Sequence, residues 1–149
     1  MTHGGTLPQP PMAASTGDEM ITGHCHCGAV TFEVAGEIRS FQHCHCTTCR
    51  RIHGTVYSSS AVVDRAAFTI TRGADAITEY ESSPGKKRCF CSRCSAPIYA
   101  YRDAEPRFVV LRMGTVDGDP GARPTRHIWV SHQAPWYEIL DDLPRLEEM

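Results

Sequence analysis

The sequence predicts a mainly β domain built around metal-binding thiols, and three observations carry that reading. From Ile21 onward, short runs rich in Val, Ile, Thr, Phe and Tyr are separated by Gly, Pro and Asp, the pattern of strands joined by turns. Helical spacing is scarce. Seven of the eight cysteines fall into three tight clusters, Cys25-His26-Cys27, Cys44-His45-Cys46-Thr47-Thr48-Cys49 and Cys91-Ser92-Arg93-Cys94. At 149 residues and 41% hydrophobic content, the chain suits a single domain with a core of its own.

Taken in chain order, residues 1–19 contain little that could enter a core and read as a disordered leader, with the domain spanning residues 20–146. Strands are expected at residues 29–35, 55–63, 68–72, 77–81, 88–90, 98–101, 108–113 and 127–130. One short C-terminal helix is expected where Trp136, Ile139, Leu140 and Leu143 follow the i, i+3, i+4, i+7 spacing and stop before Pro144. Trp136 would anchor that segment, and residues 49–53 would add one helical turn. No repeat of fixed period appears; the shared Cys-His-Cys triplet reads as convergent metal chemistry.

The spacing of the thiols favours metal. Two thiolates on one zinc sit about 3.8 Å apart, whereas residues i and i+2 of a strand are separated by about 6.5 Å, so a Cys-x-Cys pair needs a bend at its middle residue. Gly23 and Gly28 bracket the first pair and make such a bend cheap. The rival reading, a disulfide framework, needs an oxidising compartment. The N-terminal stretch lacks the basic start and apolar run of a secretion signal, and no stretch approaches a membrane span, so a cytoplasmic protein with free thiols is expected. A structural zinc takes four protein ligands and a catalytic zinc takes three, so seven thiols divide into one closed set and one open set.

Charge excludes one class of partner. With a net charge of −2 and no polybasic face, nucleic acid binding is not expected. Arg50-Arg51 and Lys86-Lys87-Arg88 are the only basic clusters, and each adjoins a cysteine cluster.

The succession Gly23-His24-Cys25-His26-Cys27-Gly28-Ala29-Val30, Cys44-His45-Cys46-Thr47-Thr48-Cys49-Arg50-Arg51 and Phe90-Cys91-Ser92-Arg93-Cys94 resembles the glutathione-dependent formaldehyde-activating enzyme family, also called the centromere protein V type. His127-Ile128-Trp129, Ala134-Pro135-Trp136 and Asp142-Leu143-Pro144-Arg145 resemble that family's ending. The resemblance implies an Mss4-like fold of twisted antiparallel sheets and two zinc ions per chain. It implies that Cys25, Cys27, Cys91 and Cys94 close a structural site, and that Cys44, Cys46 and Cys49 hold a catalytic zinc open to substrate. The implied activity is that of a carbon–sulfur lyase forming S-(hydroxymethyl)glutathione from glutathione and formaldehyde. Action on a different thiol adduct, or a noncatalytic zinc-stabilised binding module, are the alternatives.

Other residues acquire expectations from that setting. Glutathione carries two carboxylates, and Arg50 and Arg51 are the first candidates to bind them, with Lys86 and Lys87 next. His45 would orient a ligand or shuttle a proton. Where the family has glycine after its last Cys-x-x-Cys, this chain has Ser95, which a turn there would hold at positive φ. Cys89 either fills the fourth position of the second zinc or packs as a small apolar strand residue.

Overall fold

The computed structural model describes residues 20–149; the expected leader, residues 1–19, lies outside the described residues. Ten strands and one helix are assigned: β1 (Met20–His24), β2 (Thr31–Ala35), β3 (Arg39–Cys44), α1 (Thr47–His53), β4 (Ser58–Asp64), β5 (Phe68–Arg72), β6 (Ile77–Ser83), β7 (Lys86–Cys91), β8 (Pro97–Arg102), β9 (Phe108–Arg112) and β10 (His127–Ile128). They form a three-stranded sheet in the order β1-β2-β5 and a seven-stranded sheet in the order β10-β3-β4-β9-β8-β7-β6. Pairing is antiparallel except between β10 and β3.

Period-two alternation places the core between the sheets. Val30, just before β2, and Phe32 and Val34 within it pack with Ala61, Val63, Ile98, Val109 and Leu111 from the second sheet. Burying each of the larger side chains contributes about 1.5–3 kcal/mol. The opposite face of the large sheet is polar where it matters for function. The pairs Cys44↔Ser58, Ser60↔Arg112 and Arg88↔Ala100 carry one face from strand to strand, so Cys44, Ser58, Ser60, Arg112, Arg88 and Lys86 share it.

All eight strands expected from sequence are present, with ends shifted by a few residues. β1 and β3 were not expected, because Met-Ile-Thr-Gly-His and Arg-Ser-Phe-Gln-His-Cys show no apolar alternation. The C-terminal helix is absent: residues 136–143 hold no helical turn. Of its presumed apolar stripe only Ile139 is buried, while Trp136 is 70% and Leu140 81% exposed, so Trp136 anchors nothing. The backbone there is committed elsewhere. Arg145 Nη2 donates to the carbonyls of Ile139 and Asp141, the His127 N–H donates to Pro144 O, and Leu146 N–H returns to His127 O. These bonds draw the tail out along β10. The one α-helix among the described residues lies at the second cysteine cluster instead. Cys46 caps it through its sulfur, and Gly54 ends it at φ 60. Ser95 does adopt positive φ, 65, beside its cysteine cluster.

Two substitutions test this packing. Gly73 sits at φ 81, and a methyl group there would overlap the Ala29 carbonyl. Gly73→Ala is expected to lower stability by about 2 kcal/mol or more in denaturant unfolding. Trp136→Ala should change it by less than about 0.5 kcal/mol; a larger loss would show that the tail docks through that ring.

Candidate metal centres

The first thiol set joins loops separated by more than sixty residues. The β1–β2 turn supplies Cys25 and Cys27, and the β7–β8 turn supplies Cys91 and Cys94; all four sulfurs lie within 4.8 Å of one another. Cys25 and Cys27 are 3.6 Å apart, and Cys27 and Cys91 3.8 Å, the spacing of thiolates sharing one metal. Backbone N–H groups point at the sulfurs: Val30 N–H donates to Cys25 Sγ at 3.3 Å and Arg93 N–H to Cys91 Sγ at 3.4 Å. The backbone N–H groups of Cys27 and Ala96 pull the Cys94 thiol down to about 6. Such donors stabilise thiolates, the form that ligates metal. Gly28 at φ 78 and Ser95 at φ 65 turn the two loops under the set.

The second set has three thiols. Cys44 ends β3, Cys46 caps α1, and Cys49 lies in its first turn, where its N–H donates to Cys46 Sγ at 3.2 Å. Among the described residues no fourth Cys, His, Asp or Glu completes the group. Cys44 and Cys49 are buried and pack with Ile128 of β10. Hydrogen bonds from Cys44 and Cys46, helped by Ser58 and by the charge of Arg112, hold the Cys49 thiol far below its usual range. Arg88 Nη1 donates to Cys49 Sγ at 3.7 Å.

Cations surround this second set. Arg112 is only 7% exposed and donates Nη1 to Ser60 Oγ. Lys86 stands on the same face, its ammonium drawn down to about 8 by burial and the nearby guanidiniums. His53, one helical turn after Cys49, is drawn down to about 4 by burial and the charge of Arg112. Both donor sets, soft sulfur with cationic or amide neighbours, fit zinc.

Other residues expected at the site fall in varied places. Arg50 is half-buried and donates Nη1 to His132 O at 2.9 Å, tying α1 to the turn after β10. Arg51 is exposed, and Lys87 pairs with Glu81 and Asp103 at the surface. Cys89 belongs to neither thiol set; its sulfur is buried 3.9 Å from Glu79 Oε1, and burial pushes it up to about 11. His45 faces away from the thiols, with His43 on the other side of β3. Its Nε2 lies 2.8 Å from His127 Nδ1, and His127 Nε2 lies 2.9 Å from Asp141 Oδ2. Sequence reasoning missed this Asp141–His127–His45 chain and the pair Arg88 and Arg112. The one available signal was Arg112, a cation closing the apolar run Phe108-Val109-Val110-Leu111.

Residues 20–132 match the sequence model described as glutathione-dependent formaldehyde-activating enzyme. A Halomonas elongata protein, named provisionally for that activity, is 29% identical over 80% of this chain and 81% of its own length. A Fusarium vanettenii relative with the same provisional name is 27% identical over 56% of this chain, and that match spans 46% of the fungal protein. Among solved structures, a Rhodobacter sphaeroides protein from a structural-genomics programme superposes with a TM-score of 0.56 at 28% identity, covering 66% of this chain and 91% of its own. Family match, relatives and thiol geometry agree: the chain belongs to the glutathione-dependent formaldehyde-activating enzyme family.

Proposed function

We propose that the chain is a zinc-dependent carbon–sulfur lyase that joins glutathione to formaldehyde, giving S-(hydroxymethyl)glutathione. The observation that carries this reading is the difference between the two thiol sets: four sulfurs in one, three in the other, with Arg88, Arg112 and Lys86 sharing the sheet face of the three. Cys25, Cys27, Cys91 and Cys94 would hold a structural zinc, and Cys44, Cys46 and Cys49 a second. When bound at the second set, zinc would keep a substrate thiol ionised at neutral pH.

The chain's own residues prepare that site. Arg88, by donating to Cys49, draws electron density from its sulfur, and Arg112 and Lys86 offset the negative charge of the thiolates. A glutathione thiolate placed there forms a carbon–sulfur bond to the formaldehyde carbon, and the carbonyl oxygen takes up the proton that the thiol gave. Arg50 and Arg51, at the last turn of α1, are proposed to meet a carboxylate of glutathione. The fold is read as Mss4-like, with a domain of residues 20–146 working in the cytoplasm. No helix among the described residues is long and apolar enough to cross a membrane.

Cobalt(II) substituted for zinc makes the thiolate sites visible by absorption. Two cobalt equivalents per chain are expected, with glutathione altering the spectrum of one. Cys49→Ser should abolish that response; an unchanged spectrum on saturating glutathione would count against the reading. Cys89→Ser should leave the metal count at two, and loss of one equivalent would make Cys89 a ligand.

A further inference from the structure

A cavity of 220 Å³ is walled by Ile52 and His53 of α1, Arg88 and Phe90 of β7, Pro97 of β8 and Arg112 of β9, and Arg88 links it to the three thiols by donating to Cys49. Since one water occupies about 30 Å³ of liquid, a two-heavy-atom aldehyde would leave most of this space unfilled. The walls are mainly apolar, and the groups in them that can carry positive charge are two guanidiniums and one imidazole, beside Cys89, Ser95 and Tyr99. Among the described residues, neither Arg88 nor Arg112 makes an ion pair with a carboxylate. His53 Nε2 is buried and has no hydrogen-bond partner.

A buried cation without a counter-ion is costly, and the thiolates compensate only part of this charge. Zinc with three thiolates would carry a net charge near −1, against three cations in Arg88, Arg112 and Lys86. The excess is near +2. A substrate thiolate would remove one unit, and one further anion would balance the site. Arg88 already reaches Cys49, so an anion on the guanidiniums lies next to the three-thiol set.

We propose that this cavity is a carboxylate subsite, in which Arg88 and Arg112 hold the carboxylate, His53 Nε2 hydrogen-bonds it, and a short carbon stem lies against Ile52 and Phe90. The proposal rests on the three-thiol set being the substrate centre. The carboxylate comes either from the thiol itself or from a carboxylate-bearing aldehyde such as glyoxylate. In the second case the thiolate sulfur bonds to the aldehyde carbon and the carbonyl oxygen takes the thiol's proton, just as with formaldehyde.

Propanoate, which carries no thiol, separates this proposal from the glutathione reading. Titrated into the zinc-loaded full chain, it should produce saturable NMR shifts at the Ile52 methyl and Phe90 ring that propanoamide does not produce. Arg88→Gln, at a half-buried position that should leave the fold intact, should weaken propanoate about tenfold or more. Absence of shifts, equal shifts from the amide, or undiminished binding in the folded Arg88→Gln protein would overturn the subsite, whatever the cobalt spectrum shows with glutathione. With a positive result, saturating glutathione assigns the source. Displacement of propanoate places the thiol's own carboxylate in the cavity; simultaneous binding places the aldehyde's there and predicts turnover of glyoxylate with glutathione.

Discussion

The packing of the two sheets depends on two hairpin turns meeting, and four sulfurs lie where they meet. The β1–β2 turn carries Cys25 and Cys27 on the three-stranded sheet, and the β7–β8 turn carries Cys91 and Cys94 on the seven-stranded one. Between them lies a core of modest residues, with Phe32 the largest side chain that is fully buried. A tetrathiolate metal linking the sheets would contribute on the order of 10 kcal/mol, comparable with the whole stability of a small domain. The surrounding details follow from that demand. Ser95 tolerates a left-handed conformation, Gly73 passes against Ala29, and amide donors ring the sulfurs.

Once the sheets are fixed, β3 separates two kinds of chemistry. Alternation sends Cys44 toward Ser58, Ser60 and Arg112, and sends His43 toward Ser59 on the other side. The thiol face gathers cations and the cavity. The histidine face joins His45 and His127 to Asp141 and so fastens the C-terminal tail. Burial and the neighbouring His127 draw His45 down to about 4, so it stands neutral within this chain at ordinary pH. Tail and thiol knuckle are thus held from opposite sides of one strand.

Much of this could be read from residue order, for physical reasons that differ by element. Strands such as Phe68–Arg72 and Phe108–Arg112 declare themselves through β-branched and aromatic runs, and the thiol clusters through spacing that ordinary strands do not allow. β3 was invisible because its faces carry thiol and imidazole chemistry instead of an apolar stripe. The tail misled because Trp136, Ile139, Leu140 and Leu143 satisfy helical periodicity while Arg145 takes the Ile139 and Asp141 carbonyls and His127 draws out the chain that follows. Arg88 and Arg112 were hidden for a third reason. They meet Cys49 only through strand register across β7, β8 and β9, which no local pattern encodes.

The central claim is a division of labour: one thiol set holds the sheets together and the other serves substrate. Metal content and thermal unfolding of Cys91→Ser and Cys46→Ser test it directly. The account predicts that each variant loses one metal, that Cys91→Ser also loses its cooperative native transition, and that Cys46→Ser keeps that transition within a few degrees, about the shift expected for 1 kcal/mol. Equal destabilisation of the two variants, or a Cys91→Ser protein that melts like the parent, would contradict it.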